Sequence, residues 1–381
     1  MKKLLFLILA LSISCTEKKE VKHGDFLDFV TAEMSFERDQ TTGFIGFSGT
    51  VLHQGKESIV SEWNGIFQFF DPETGRKIDQ FEIPSGGPMA LKGGYHIGKA
   101  FDGPQFIATN NTGNTNFYEN DTLVKGIQLD MAGYEPKGFL NFPDSRNALQ
   151  KLSENEFEIT FDPFNIMSFQ TETDGLDLEF GSWIGKFDSE GKWICRTDFK
   201  APYDATFANS TMAGRLVRMV ENENSWAMFP YSDSLYQIKD CKIIKRIKLE
   251  SHTPIQYFPE KFIINGRSRY WERPENGALN THLIHDPKNR LYVRFTILEQ
   301  IKTQPEIKDP RQRMYLNKNK YLLLIYDQNW NLLAELTTTF DLGTRFENLI
   351  VSNGYLLINK PEQKSEDEYE FYKIDMSQFR N

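Results

Sequence analysis

The chain has 381 residues and a formal net charge of −9, which suits one large repeat-built domain or two ordinary domains. An acidic surface repels phosphate backbones, so nucleic acid is not expected as a partner. Nucleophile elbows, phosphate loops, dinucleotide fingerprints and C-x-x-C motifs are all missing from the sequence. The sequence therefore predicts no cofactor and no metal ion.

The first fifteen residues have the three zones of a secretory signal. Two lysines are followed by the apolar run Leu4–Leu11, and small residues then lead to Cys15. The apolar run is too short to span a bilayer as a helix. Because Ser12 and Ser14 precede the cysteine, the segment resembles a bacterial lipoprotein signal. It predicts cleavage after residue 14 and a lipid on Cys15, and the alternative is an ordinary cleaved signal with a chance cysteine.

The next segment, residues 15–24, is rich in Lys and Glu and has no apolar periodicity. This composition predicts a lipidated cysteine followed by a charged, solvated tether. The signal and the lipidated cysteine together predict that the protein is exported and anchored in the cell envelope, with the outer membrane favoured. The folded domain is predicted to span residues 25–381.

The dominant pattern after Asp25 is a β-hairpin: two alternating runs on either side of a polar turn. Hairpins of this kind are predicted at Ile66–Phe81, Asn116–Leu129, Trp183–Phe199, Leu235–Leu249 and Tyr321–Leu336. A further strand pair precedes several of them, at Phe47–Trp63, Arg215–Phe229 and Thr281–Leu298. Short antiparallel units of four strands recurring along a chain indicate an all-β propeller.

The last unit has only three predicted strands, at Phe346–Val351, Tyr355–Asn359 and Tyr369–Ile374. One β-rich run, Phe29–Glu37, is left over near the N-terminus. We expect it to complete the last blade and close the ring, because closure protects sheet edges. This predicts six blades, or seven if Gln256–Tyr270 forms a degenerate blade. The alternatives are two β-sandwiches or one large irregular sheet.

The signal, the short tether and the degenerate four-stranded units together resemble propeller-type lipoproteins of Bacteroidetes. In particular, the segment His282–Phe295 (HLIHDPKNRLYVRF) is similar to the strand–turn–strand element of an uncharacterised family with a domain of unknown function. The resemblance covers Asp25 to the C-terminus. It implies no established activity, so it assigns no catalytic residue.

The most unusual insertion, Ile255–Arg273, combines aromatic and arginine side chains. Such pairs suit sugar rings or acidic ligands through stacking and bidentate hydrogen bonds. The predicted ligand-binding residues are Tyr257, Arg267, Arg269, Tyr270, Trp271 and Arg273. The alternative is that the aromatics pack the insertion onto the ring. A second aromatic segment, Phe157–Phe169, is favoured as core, and both segments are expected on one face of the ring.

Two other clusters resemble metal sites. His282, His285 and Asp286 offer two imidazoles and a carboxylate, but strand residues three apart point to opposite faces. A strand edge leading into a turn is therefore favoured. The acidic run with Asp174, Asp177 and Glu179 is favoured as a solvated loop over a calcium site, because it lacks the full calcium-loop pattern.

Two polar features have ordinary explanations. Asn110–Asn116 (NNTGNTN) is favoured as a plain turn over a ligand-facing loop. Cys195 and Cys241 have a spacing that does not favour pairing, so unpaired thiols are expected rather than a disulfide.

The sequence thus favours a membrane-anchored envelope module that binds a glycan, a peptide or a partner protein through one face of the ring. A hydrolase or lyase acting on polysaccharide is the main alternative, and it requires two carboxylates near the central channel. A purely structural role in an envelope complex is the third.

Overall fold

The computed structural model describes residues 20–380, apart from 43–44, 64, 94–96, 102–104, 111, 121, 132–148, 162–177, 209, 211, 222, 266–267, 302–317, 339–341 and 344–348. Within strands, the side chains of residues 97–98, 262, 264–265, 268–271, 318 and 342–343 also lie outside the description. The described chain is almost all β, with a few short 3₁₀ turns. Its helical turns include none with the length and apolarity that a bilayer crossing requires.

Two strands precede the first blade, β1 (Lys22–Asp25) and β2 (Val30–Glu37). Blades 1 to 3 then follow in chain order. Blade 1 contains β3 (Phe47–His53), β4 (Lys56–Trp63), β5 (Ile66–Phe70) and β6 (Lys77–Glu82). Blade 2 contains β7 (Ile97–Ala100), β8 (Gln105–Thr109), β9 (Asn114–Glu119) and β10 (Thr122–Gln128). Blade 3 contains β11 (Leu149–Lys151), β12 (Glu156–Thr160), β13 (Ile184–Asp188) and β14 (Trp193–Arg196).

The second half of the ring has the same plan, with one extra hairpin. Blade 4 contains β15 (Val217–Glu221), β16 (Asn224–Met228), β17 (Ser234–Lys239) and β18 (Lys242–Lys248). The hairpin is β19 (Lys261–Asn265) and β20 (Ser268–Glu272). Blade 5 contains β21 (Leu279–Asp286), β22 (Leu291–Ile301), β23 (Lys318–Tyr326) and β24 (Leu332–Thr337), and the short β25 (Leu342–Gly343) pairs with β23. Blade 6 contains β26 (Leu349–Ser352), β27 (Tyr355–Asn359) and β28 (Glu368–Asp375).

The ring closes through the N-terminal strand, as the sequence predicted. Strand β2 pairs antiparallel with β28 and becomes the fourth strand of blade 6. The fold is therefore a six-bladed β-propeller. Residues 256–270 do not supply a seventh blade, because β19 and β20 pair only with each other.

The apolar core is divided among the six boundaries between neighbouring blades. Each boundary has its own cluster of buried side chains, drawn from the facing sheets. At the closing boundary, for example, Phe36 of β2 meets Phe47 and Phe70 of blade 1 and Phe371 of blade 6. The side chains of a strand point alternately to the two faces of its sheet, and each face of a blade packs against a neighbouring blade. Both faces therefore contribute buried side chains to the core.

The structure differs from the predicted tether at its last residues. Strand β1 pairs parallel with β24, so residues 22–24 form an extra strand at the outer edge of blade 5. Val21 packs against the core between blades 4 and 5. The sequence KHGD has no apolar alternation, and the pairing arises because β24 would otherwise present an open edge.

Cys195 and Cys241 form a disulfide with Cα atoms 6.0 Å apart, so the prediction of unpaired thiols is wrong. Cys195 lies in β14 of blade 3, and Cys241 lies in the turn between β17 and β18 of blade 4. A separation of 46 residues takes the chain from the outer strand of blade 3 to the last turn of blade 4. The two cysteines therefore meet through the placement of neighbouring blades, which their spacing in the sequence does not reveal.

The long connections share one face of the ring. Because neighbouring strands in a blade are antiparallel, the connection from its second to its third strand and the connection to the next blade leave from the same face. Residues 161–183 are a connection of the first kind, and residues 249–278 are one of the second kind. Both aromatic insertions therefore begin and end on this face. The opposite face has tight turns such as Asn353–Gly354, with φ values of 48° and 79°.

Candidate binding site between blades 4 and 5

The candidate site is the connection from blade 4 to blade 5, residues 249–278. Its hairpin places Arg269, Tyr270 and Trp271 in β20, with Trp271 opposite Phe262 of β19. The side chains of these three residues, like all of Arg267 and Cys15, lie outside the described part of the structure. The hairpin backbone is thus defined, and the ligand-binding role of these residues stays a prediction.

The N-terminal end of this connection is fixed by Tyr257. Its hydroxyl donates to Asp233 Oδ1 at 2.6 Å and accepts from Arg294 Nη2 at 2.6 Å. Arg294 also donates from Nη2 to Asp233 at 2.7 Å and from Nε to Asn280 Oδ1 at 2.9 Å. Arg294 is fully buried in β22, and Asp233 precedes β17, so these hydrogen bonds tie the connection to both blades.

The pKa shifts of Tyr257 and Arg294 are consistent with these hydrogen bonds. Burial raises the pKa of Tyr257, which keeps its hydroxyl neutral and able to donate. Burial by itself lowers the pKa of Arg294, but interactions that include the charge and hydrogen bond of Asp233 outweigh it, so the net pKa of Arg294 is raised. A charged guanidinium and a neutral phenol therefore persist together in the interior. The hydroxyl of Tyr257 is already committed to its neighbours, and its predicted ligand contact stays untested.

The C-terminal end of the connection is fixed by Arg273. Its Nη2 donates to Asn319 Oδ1 at 2.9 Å, and Asn319 donates to the Tyr321 hydroxyl at 3.2 Å. Burial lowers the pKa of Arg273, and burial raises the pKa of Tyr321 to about 12. The predicted ligand residue Arg273 therefore has a structural partner in β23.

A third attachment lies just before the hairpin. Glu260 accepts hydrogen bonds from the backbone N–H of Met212 at 3.1 Å and from the Ser210 hydroxyl at 3.3 Å. Both partners belong to the connection that enters blade 4. The hairpin is thus anchored on both sides of its strands, and it forms an anchored platform on the face with the long connections.

Sequence reasoning missed Arg294, Asp233 and Asn280, the residues that hold this platform. One signal was present: Arg294 is a single charge inside the apolar strand LYVRFTIL. An isolated charge in such a strand must be buried with partners, because an unpaired buried charge is too costly. The partners themselves lie 61 and 14 residues away and leave no local pattern.

A second concave site lies between blades 2 and 3. It is a cavity of about 250 Å³ with Phe101, Phe117 and Phe157 among its lining residues and with Lys151 and Glu154 also present. Lys151 Nζ donates to Gln105 and lies 5.9 Å from the centre of the Phe101 ring. Phe157 belongs to the second aromatic segment of the sequence and is buried there, as predicted. Phe164 and Phe169 fall outside the described residues.

The histidine candidates have separate local partners. His282 bonds to the Thr281 hydroxyl, whereas His285 Nε2 lies 3.3 Å from Glu221 and burial lowers its pKa. Asp286 accepts from the backbone N–H groups of residues 288 and 289 and closes the following turn. His282, His285 and Asp286 are therefore not brought together as metal ligands among the described residues.

The remaining loop candidates form local hydrogen bonds or ion pairs in the described part of the chain. Asn110 Oδ1 accepts from the backbone N–H groups of Thr112 and Asn114, which confirms a plain turn between β8 and β9. Glu179 pairs with Lys200. The other acidic candidates, Asp174 and Asp177, lie outside the described residues.

A paired-carboxylate hydrolase needs two acidic groups facing one pocket. Among the described residues, the innermost strands of the six blades contribute two carboxylates, Glu221 and Asp286. Glu221 accepts from the Tyr292 hydroxyl at 2.7 Å, and Asp286 is fully buried in its turn. Both are committed to structural contacts. Two other carboxylates, Glu119 and Glu154, line the cavity between blades 2 and 3.

The geometry defines a β-propeller with an anchored platform on one face. A solved structure of a member of the DUF4221 family from Bacteroides vulgatus is similar to the chain, with a TM-score of 0.68, 13% identity, and coverage of 91% of this chain and 96% of that one. A putative exported protein from Bacteroides fragilis has a TM-score of 0.48 at 9% identity, over 93% and 99% of the two chains. No family model and no curated protein matches the chain. The first likeness shows that the two chains share a fold.

Proposed function

We propose that the protein is a non-catalytic binding module of the cell envelope, and that its ligand contacts the hairpin β19–β20. The observation that carries this proposal is the buried network of Arg294, Asp233 and Tyr257, which fixes a surface insertion to two blades. A fixed backbone reduces the ordering cost of binding.

The residue types of β20 indicate the ligand class. Trp271 and Tyr270 suit stacking on a sugar ring, and Arg269 suits a carboxylate or sulfate group. We therefore propose an acidic glycan as the first candidate ligand. An acidic peptide uses the same chemistry and is the second.

A glycan and peptide array probed with the full-length chain tests this proposal. Binding to acidic glycans should fall about tenfold or more in Trp271→Ala and in Arg269→Ala, because each anchor residue contributes a few kcal/mol. Trp63→Ala and Arg246→Ala are matched controls, since both residues lie on strands of other sheets. Absence of binding, or equal losses in the controls, would refute the proposal.

We also propose that a lipid on Cys15 holds the ring near a membrane. The signal-like N-terminus supports this, and the disulfide fits an oxidising compartment outside the cytosol. Since Val21 already packs against the ring, the free linker after Cys15 would be only a few residues long.

Cell fractionation tests the anchor. Cys15→Ala should move the protein from the membrane fraction to the soluble fraction, whereas Cys195→Ser with Cys241→Ser should remain with the membranes. A Cys15→Ala protein that stays membrane-bound would rule out the anchor without affecting the binding proposal.

A further inference from the structure

Three segments that are distant in sequence meet at the rim of the ring, near blades 4 and 5. His23 lies in β1, directly opposite Glu335 of β24 in the parallel pairing. His252 lies just after β18, where the chain leaves blade 4. The cluster therefore joins the N-terminal strand, blade 5 and the start of the insertion.

The ligand atoms of the cluster have the spacing of a metal site. His252 Nδ1 lies 3.3 Å from His23 Nε2, and one ligand atom from each of His23, His252 and Glu335 lies within 4.8 Å of the others. Two ligands bound to tetrahedral zinc at about 2.0–2.1 Å are about 3.3–3.4 Å apart. The two imidazole nitrogens already have this separation, and a carboxylate oxygen of Glu335 lies within 4.8 Å of the ligand atoms of both histidines.

The carboxylate is held in place by neutral donors. Glu335 is 2% exposed in its side chain and accepts from the Ser251 hydroxyl at 3.0 Å and from the Thr253 backbone N–H and hydroxyl, each at 3.1 Å. The His252 backbone N–H also donates to it. Such outer hydrogen bonds orient a metal-binding carboxylate. They also fix the loop that carries His252.

The charge of the Glu335 carboxylate and the exposure of the two histidines also favour a metal ion. Among the described residues, the basic side chain within 4 Å of the Glu335 carboxylate is that of His23, whose Nδ1 lies 3.7 Å from Oε2. A buried carboxylate is stabilised by a nearby positive charge. His23 and His252 are exposed, so an ion can reach the cluster and retain a water as its fourth ligand.

We propose that His23, His252 and Glu335 bind a divalent transition-metal ion of the zinc class. Two imidazoles and one carboxylate favour zinc, nickel or copper over calcium and magnesium. The bound ion fastens β1, the strand that begins within the predicted tether, to blade 5 and to the insertion. The site goes beyond the sequence analysis, which predicted no metal.

Zinc titration of the tag-free, full-length chain, first stripped with a chelator, tests the proposal by calorimetry. We expect one zinc ion per chain with a dissociation constant in the micromolar range or below. His23→Gln and His252→Gln should each weaken binding about tenfold or more. His23→Gln is the decisive variant, because this half-exposed residue on an edge strand is not needed for the core.

His285→Gln is the matched control, since His285 pairs with Glu221 outside the cluster, and its zinc binding should match the wild type. Calcium and magnesium should not compete. Failure to bind zinc at tens of micromolar, or unchanged binding in His23→Gln, would show that the cluster is only a polar contact and would overturn the proposal.

Hydrogen exchange tests the fastening role separately. Zinc should slow amide exchange in residues 22–25 of the wild type and leave that exchange unchanged in His23→Gln. If zinc binds without slowing exchange in β1, the ion does not fasten the strand, and that part of the proposal is wrong.

Discussion

The ring is held together differently at two of its blade boundaries. At the closing boundary, β2 pairs with β28 through the backbone, and Phe36 packs edge to face against Phe47, Phe70 and Phe371. Between blades 3 and 4, a disulfide joins the rims, and Arg218 Nη2 donates to the buried Glu158 carboxylate at 2.7 Å.

The two boundaries also differ in the strands beside them. Blade 3 begins with the three-residue β11 and ends with the four-residue β14. Blade 6 ends with the eight-residue β28 paired with the eight-residue β2. Both boundaries have an apolar cluster, and the one between blades 3 and 4 adds a covalent link and a buried ion pair.

The largest effect is expected at the buried ion pair. Glu158→Leu leaves the Arg218 guanidinium buried without its counter-ion, which should lower the free energy of unfolding by about 3–5 kcal/mol. Burial lowers the pKa of Arg218, because the protein interior disfavours its positive charge. Urea unfolding measures the loss. Glu158→Leu with Arg218→Met should recover most of it, and a double variant as unstable as the single one would contradict this account.

The disulfide comes next. It closes a loop of 46 residues, and in the chain-entropy model its removal costs about 4 kcal/mol. Cys195→Ser with Cys241→Ser should show this loss in urea unfolding. Wild-type protein under reducing conditions should behave like the double variant. If both retain full stability, the short blade does not depend on the covalent link.

A smaller loss is expected at the closing boundary. Phe36→Ala should cost about 3 kcal/mol, because three neighbouring rings can partly collapse into the cavity. Phe36→Leu, which keeps most of the volume, should cost about 1 kcal/mol. Urea unfolding again provides the measurement, and a Phe36→Ala loss larger than the loss at the ion pair would reverse the comparison.

The smallest effect concerns pH. Burial raises the pKa of Asp39, but its hydrogen bonds with Lys77, Thr41 and Thr42 outweigh this and hold the pKa well below the usual 3.8. Because the unfolded state then binds the proton more readily, this stabilisation is complete above the usual pKa and is lost as the pH falls below it. Asp39→Asn should cost about 1 kcal/mol or less at pH 7, since the carboxylate is partly exposed. Its difference from the wild type should shrink near pH 3, and a difference independent of pH would contradict the assignment.

The sequence predicted the blades well because each blade is local. The alternating runs at Tyr321–Leu336 became β23 and β24, and the leftover run Phe29–Glu37 became the closing strand β2. Alternation and turn residues lie within one hairpin, so a single segment contains the whole signal.

The candidate site was predicted only in part. The segment Ile255–Arg273 is a connection with a hairpin on the expected face, but Tyr257 and Arg273 anchor it from within. The disulfide and the Glu158–Arg218 pair each join two blades, and the His23–His252–Glu335 cluster joins the N-terminal strand to distant segments. Contacts of this kind depend on how the blades are placed, which no local pattern reports.

The closing strand also sets an order of assembly. Thr31 and Lys373 are joined by a hydrogen bond although 342 residues separate them. Contacts of such long range form late, because the entropy of closing a long loop must be overcome first. We expect blades 1 to 5 to form before the ring closes, and we expect β2 to stay unpaired until β28 has formed. A chain that crossed a membrane N-terminus first would therefore finish folding only after its C-terminus had followed.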